Sequence, residues 1–215
     1  KGIYEMLDTL KTVPKIKRFY NLVSILGSGY IQVGKFDIGP IFSTLGYNDV
    51  EGQRVRFGGR TYFGPNDPWR IQGYTAYGFK DDKMKYGINA RVMLNKKNRF
   101  IVSLGNRRDV EQIGVSLTTS NDVLGRSFAS SSFFSSGTNN KLTNVNLTNL
   151  GFEIEPVKNL VFESSFSYRT LSSASSEFKL DYFTDNTFTT TANEITQSEV
   201  NFSVNYTPKR KMVGY

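Results

Sequence analysis

The sequence predicts an all-β protein: an antiparallel transmembrane β-barrel of which about eight strands are present, preceded by a short helical segment. Three observations carry this expectation. From Val50 onward apolar and polar residues alternate with a period of two. Several alternating segments run well beyond the ~5–6 residues usual for a strand in a globular protein. No apolar run approaches the ~20 residues that a membrane-spanning helix needs.

Residues 1–28 are the only stretch with a helical period. Ile3, Met6, Leu7 and Leu10 share one helical face, and so do Ile16, Phe19, Tyr20 and Val23. Pro14 suits the first turn of the second helix, and Gly27 and Gly29 suit its end. Lys15, Lys17 and Arg18 make the start of that helix basic. The segment fits either an amphipathic helix on a membrane surface or a helix packed on neighbouring protein. Residues 29–49 read as a linker into the barrel, and 50–215 as its strands.

The strands follow in order. In 53–63, Val55, Phe57, Thr61 and Phe63 oppose Arg54, Arg56, Arg60 and Tyr62. In 69–80, Trp69, Ile71, Thr75, Tyr77 and Phe79 oppose Arg70, Gln72, Tyr74 and Lys80. In 84–95, Met84, Tyr86, Ile88, Ala90, Val92 and Leu94 oppose Lys85, Asn89, Arg91 and Asn95. Phe100, Val102 and Leu104 alternate with Arg99, Ser103 and Arg107, and Ile113, Val115 and Leu117 with Gln112, Ser116 and Thr118. Leu150, Phe152 and Ile154 then alternate with Asn149, Glu153 and Glu155, and Leu160, Phe162, Phe166 and Tyr168 with Glu163, Ser165 and Arg169. Val200, Phe202, Val204 and Tyr206 alternate with Glu199, Asn201, Ser203 and Asn205.

The connections between these strands are 64–67, 81–83, 95–98, 108–111, 119–140, 156–159, 172–195 and 208–211. The two long ones are the fifth and the seventh, so an up-and-down sheet places both at one end. Bacterial outer-membrane barrels keep short turns on the periplasmic side and long loops outside. The pattern therefore puts 119–140 and 172–195 outside the cell and Lys1–Arg18 on the periplasmic side. The abrupt start and finish suggest a piece of a longer, processed protein.

Composition narrows the chemistry. The chain has no cysteine, which excludes disulfides and thiolate sites, and no histidine, which removes the commonest general base and metal ligand. No cofactor, metal site or catalytic constellation is expected, and the chain does not read as an enzyme. The net charge of +8 suits nucleic acid, an acidic surface or a cationic pore. Nucleic acid fits poorly, because most aromatics and charges occupy opposite strand faces and could not share one strand.

The candidate functional residues are those on the polar face. Arg54, Arg56, Arg60, Arg70, Lys80, Lys85, Arg91 and Arg99 form either a basic lumen wall that attracts anions or one half of a charge-paired lumen. Glu153, Glu163 and Glu199 are the candidate partners in the second case. Glu51 is either a rim carboxylate pairing with a basic residue or a bystander in a turn made by Asn48, Asp49 and Gly52. Tyr62, Phe63, Trp69, Tyr77 and Phe79, near strand ends, are candidates for an aromatic girdle at the lipid headgroups.

Several segments taken together resemble a known family. They are Ile38-Gly39-Pro40, Gly46-Tyr47-Asn48-Asp49-Val50-Glu51-Gly52-Gln53-Arg54, Gly58-Gly59-Arg60-Thr61, Tyr74-Thr75-Ala76-Tyr77-Gly78-Phe79-Lys80-Asp81, Lys85-Tyr86-Gly87, Asp109-Val110-Glu111-Gln112 and Glu155-Pro156-Val157-Lys158-Asn159. The set resembles an uncharacterised outer-membrane family whose members place a carboxypeptidase-regulatory-like domain ahead of a β-barrel. More distantly, the opening at 47–52 looks like the first barrel strand of the BamA-like surface-antigen superfamily, whose Arg-Gly-Phe motif this sequence lacks. The resemblance implies a Gram-negative outer membrane, outer-membrane lipid and other envelope proteins as partners, and a role in envelope biogenesis through protein insertion or translocation. Two other expectations stand beside it: a passive pore or transporter for small solutes, and a structural or binding protein that uses its surface loops.

Overall fold

A computed structural model of the chain describes residues 14, 25, 29–61, 67–112, 141–175, 182–183 and 185–208. Its dominant feature is one antiparallel sheet. The strands are β1 (Ile31–Val33), β2 (Phe36–Ile38), β3 (Leu45–Asn48), β4 (Gly52–Thr61), β5 (Trp69–Gly78), β6 (Lys83–Asn95), β7 (Phe100–Gln112), β8 (Leu142–Val157), β9 (Leu160–Ser173), β10 (Tyr182–Phe183), β11 (Thr191–Ala192) and β12 (Glu194–Tyr206). The sheet runs β1-β2-β4-β5-β6-β7-β8-β9-β12, with β3 also on β4, while β10 and β11 pair apart from it. Consecutive long strands are neighbours, as alternating hairpins produce. Among the described residues the sheet does not close: β1 and β12 each pair on one side. The helical expectation for 1–28 lies, apart from Pro14 and Ile25, outside the described residues.

The period-two pattern sorts most of the described strand side chains as read, with Phe79, Lys80 and Arg99 in turns instead, but burial is inverted relative to a water-soluble sheet. On β4 the arginines 54 and 56 are buried while Val55 and Phe57 are exposed, Phe57 to 65%. On β12 the apolar Val200, Phe202, Val204 and Tyr206 are all exposed, Val200 to 71%. We call the face bearing Arg54 the inner face and the one bearing Phe57 the outer. Directly opposed residues on paired strands share a face, so the register extends this sorting across the whole sheet. Buried apolar clusters are small: Val145, Leu147 and Leu171 form one, and Val50, Val110 and Leu142 another.

Two sequence expectations change. The stretch 29–49 is more than a linker: β2 and β3 lie along β4 in one line, broken by a 3-10 turn at Ile41–Ser43. The turn expected at 108–111 is strand instead. β7 runs unbroken to Gln112 and pairs with β8 from Ile101↔Glu153 to Gln112↔Leu142. The charge run Arg107-Arg108-Asp109 is divided between faces, with Arg107 and Asp109 buried on the inner face and Arg108 exposed on the outer. The separate strand expected over Ile113, Val115 and Leu117 lies outside the described residues.

Losing one reversal changes the parity of every turn before it. The chain segments 113–141 and 174–193 still leave from one end of the sheet, but that end now also carries the turns at 49–51 and 79–82. The charged turn Asp81-Asp82-Lys83 therefore moves to the long-loop end. The opposite, short-turn end carries 34–35, 62–68, 96–99 and 158–159. Pro156, which has no N–H to give, sits where the β8–β9 register shifts.

Candidate functional site

The inner face carries an ionic cluster at the long-loop end, and a turn starts it. Asn48 Oδ1 accepts from the backbone N–H of Val50 at 3.1 Å and of Glu51 at 2.7 Å, closing the hairpin between β3 and β4. Gly52 follows at φ +67°, and a Cβ there would meet Lys80 Cβ at 2.8 Å, so the position admits only glycine comfortably. This turn drives the Glu51 carboxylate fully inside, where Asn48 Nδ2 donates to it at 2.6 Å. Both alternatives weighed for Glu51 describe the same residue: it sits in the turn and it pairs with cations.

Those cations come from β4 and β6. Arg54 Nη1 lies 3.0 Å from Glu51 and 2.7 Å from Asp109 Oδ1, and its Nη2 donates to Asp109 Oδ2 at 2.9 Å. Lys85 Nζ lies 2.7 Å from Glu51 and 2.5 Å from Asp81. Tyr74 reaches from β5 over β6 to donate to Asp109 at 2.5 Å. Gly87 on β6 makes that crossing possible, since a Cβ there would lie 2.5 Å from the Tyr74 ring. Arg56 stacks on the same ring, its guanidinium carbon 3.6 Å from the centroid, while its Nε and Nη1 have no hydrogen-bond partner. The cluster thus joins four strands and holds three cations, Arg54, Arg56 and Lys85, against three carboxylates, Glu51, Asp81 and Asp109. Further along the same face Arg107 pairs with Glu111, and Arg169 with Glu199 at 2.8 Å.

The short-turn end is looser. Arg91 Nη2 lies 2.6 Å from Glu153, and Arg99 is 4.0 Å from Glu153 and 3.9 Å from Glu155. Glu163 accepts from Ser203 Oγ at 3.3 Å. A cavity of about 490 Å3 opens here, with Arg70, Arg91, Asn149, Glu153 and Glu163 among its lining residues.

The predicted site residues therefore separate. Arg54, Arg56 and Lys85 join the buried cluster, while Arg70 and Arg91 line the cavity. Arg60 pairs with Asp37 of β2 at 3.0 Å. Lys80 and Arg99 leave the wall for turns: Lys80 Nζ donates to Asp49 O at 2.5 Å, and Arg99 takes φ +48°. Trp69 stands at the short-turn end, whereas Tyr77 and Phe79 lie at the long-loop end with their rings edge to face at 5.2 Å. Tyr62 and Phe63 lie outside the described residues. The sequence reading misses Asp109 and Asp81 as carboxylate partners because both fall in expected turns. The signal for Asp109 is present: Gly105, Arg107, Asp109 and Glu111 continue the inner-face alternation of β7.

Chemically, the face offers fixed charge and hydrogen bonding. Among the described residues no group of three or more Asp or Glu side chains converges as a metal ion would require. A family model described as the C-terminal domain of a family of unknown function, DUF5686, matches residues 27–214. No curated protein and no solved structure matches the chain.

Proposed function

This chain belongs to the DUF5686 family through its C-terminal domain, and from that premise we propose that it forms the wall of a transmembrane antiparallel β-barrel in a Gram-negative outer membrane, with a role in envelope biogenesis. The observation that carries the membrane part is the inversion of the faces. Strands of 10 to 16 residues bury arginine, lysine and carboxylates on one side and expose Val, Ile, Phe and Trp on the other. Exposing that outer face to water would forfeit about 1.5–3 kcal/mol for each large apolar side chain that lipid could cover. At ~3.3 Å per residue and the usual tilt, β8 is taller than the ~25 Å apolar band of such barrels. The excess height accounts for the polar outer residues Arg108, Asn144 and Asn146 near the long loops.

The biogenesis part is supported by the resemblance of 47–52 to the BamA-like opening strand and by the outer edge of β12, which among the described residues pairs with β9 alone. An unpaired edge in lipid leaves backbone groups without partners, so a strand from elsewhere gains strongly by pairing there. A second reading, binding or passage of small polar solutes, is supported by the polar cavity on the inner face.

Single-cysteine variants in phospholipid vesicles test the membrane part. Val55→Cys, Ile88→Cys and Val200→Cys are expected to resist a water-soluble maleimide, and Asn89→Cys and Ser103→Cys to react with it. Equal labelling of both faces sinks the proposal. For the biogenesis part, vesicles carrying the protein are expected to speed insertion of an unfolded outer-membrane barrel over empty vesicles; no acceleration removes that role.

A further inference from the structure

The inner-face cavity at the short-turn end has an internal polarity that neither reading above uses. Its floor is made of small residues: Ser103 on β7, Gly151 on β8 and Ser165 on β9 stand opposite one another. A Cβ on Gly151 would lie 2.5 Å from Ser103 Oγ, so the floor has no room to rise. Two like-charged pairs flank it. On one side Arg70 of β5 lies directly opposite Arg91 of β6. On the other, Glu153 of β8 lies directly opposite Glu163 of β9. Like charges directly opposed on one face repel, and the Arg91–Glu153 contact at 2.6 Å joins one member of each pair across the floor.

The groups in between point the same way. Gln72, Asn89, Asn149 and Asn201 line the cavity with amides. Asn149 is only 5% exposed, and its Nδ2 donates to nothing in the structure. A buried amide donor without an acceptor is costly, so this one is placed to be satisfied by something entering the cavity. The resting contact between Arg91 and Glu153 is open to water on both sides. Such a pair is weakly held and exchanges easily for other partners.

We propose that this cavity binds a short peptide of two or three residues with free termini. The carboxylate takes the Arg70–Arg91 flank, the ammonium takes the Glu153–Glu163 flank, and Asn149 Nδ2 donates to a peptide carbonyl between them. The span fits. The backbones of the flanks are centred three strand spacings apart, about 14 Å, and the Arg91–Glu153 contact opens as the peptide enters. Three extended residues cover about 10 Å, and the Arg and Glu side chains bridge the remainder. The volume of about 490 Å3 lies within the range of small-ligand sites. The proposal rests on the inner face being wetted, which the membrane reading implies; labelling of Ser103→Cys reports on that point by itself.

Isothermal titration calorimetry on the full chain in detergent micelles tests the proposal, with trialanine as the probe. Trialanine is expected to bind, and acetylating its N-terminus or amidating its C-terminus to weaken binding about tenfold or more. Glu163→Gln is expected to reproduce the loss caused by N-terminal acetylation, and Arg91→Gln the loss caused by C-terminal amidation. Both residues are exposed, and the capped peptides probe the wild-type protein should either variant misfold. No heat on adding trialanine, or equal binding of free and doubly capped peptide, overturns the proposal. Binding that survives acetylation but not amidation also overturns it and leaves a plain anion site. Failure of the proposal while Ser103→Cys still reacts with a water-soluble maleimide leaves the membrane reading standing.

Discussion

The two ends of the inner face use the same residue types to opposite effect. At the long-loop end Arg54, Lys85, Glu51 and Asp109 are buried and mutually paired, and with Tyr74 of β5 they hold four strands together. At the short-turn end Arg91, Arg99, Glu153 and Glu163 are more open to water, and of the contacts among these four only Arg91–Glu153 is close, while Arg60 and Asp37 pair separately at 3.0 Å. Burial is the difference. A charge out of water must keep its partner, because losing it leaves an uncompensated ion in a low dielectric. A charge in water can change partners at little cost. The first end is therefore suited to locking the sheet and the second to receiving a ligand.

The comparison breaks most sharply at Asp109. Asp109→Ala removes the acceptor of Arg54 and Tyr74 together and is expected to cost about 3–5 kcal/mol, read from urea unfolding in lipid vesicles. A loss below about 1 kcal/mol would make the two ends equivalent. Gly87→Val forces the Tyr74 ring off its path to Asp109 and is expected to cost about 1–3 kcal/mol in the same measurement; pairing it with Tyr74→Ala should recover part of that loss. Arg91→Gln at the open end is expected to change stability by no more than about 1 kcal/mol.

The smallest effect lies in the long loop outside the sheet. Asp185 accepts hydrogen bonds from Thr187 Oγ1 at 2.5 Å, from Thr189 Oγ1, and from the backbone N–H of Thr189 and Thr190 at 3.0 and 3.1 Å. These bonds favour the ionised form and hold the carboxyl well below the usual carboxylate range. A folded value below the unfolded one means the contribution is present above the unfolded value and lost as pH falls through the folded one. The loop is therefore expected to keep this arrangement at pH 4 and to lose it only under stronger acid. Carbon-13 titration of the Asp185 carboxyl checks this, and an inflection at the ordinary ~3.9 would remove the effect.

Individual residues show how far the sequence carries. Val55 and Arg54 could be assigned to opposite faces by reading alone, because a strand alternates its side chains whatever surrounds it. The strand through Asp109 was hidden because three consecutive charges look like a solvated turn until a partner strand divides them between two faces. Arg70 opposite Arg91, and Glu153 opposite Glu163, are invisible in a single chain, since register belongs to a pair of strands.

By itself the sequence determined the all-β class and the face taken by most of the described strand residues, since both follow from a backbone period that needs no tertiary context. Only the tertiary structure decided which charges meet. Arg54 and Asp109 are 55 residues apart and on strands three places apart in the sheet. They touch because hairpin register brings both to the long-loop end of the inner face, where Gly87 also leaves room for Tyr74 to reach Asp109. The same register gathers the charges of the inner face into a locked end and an open one.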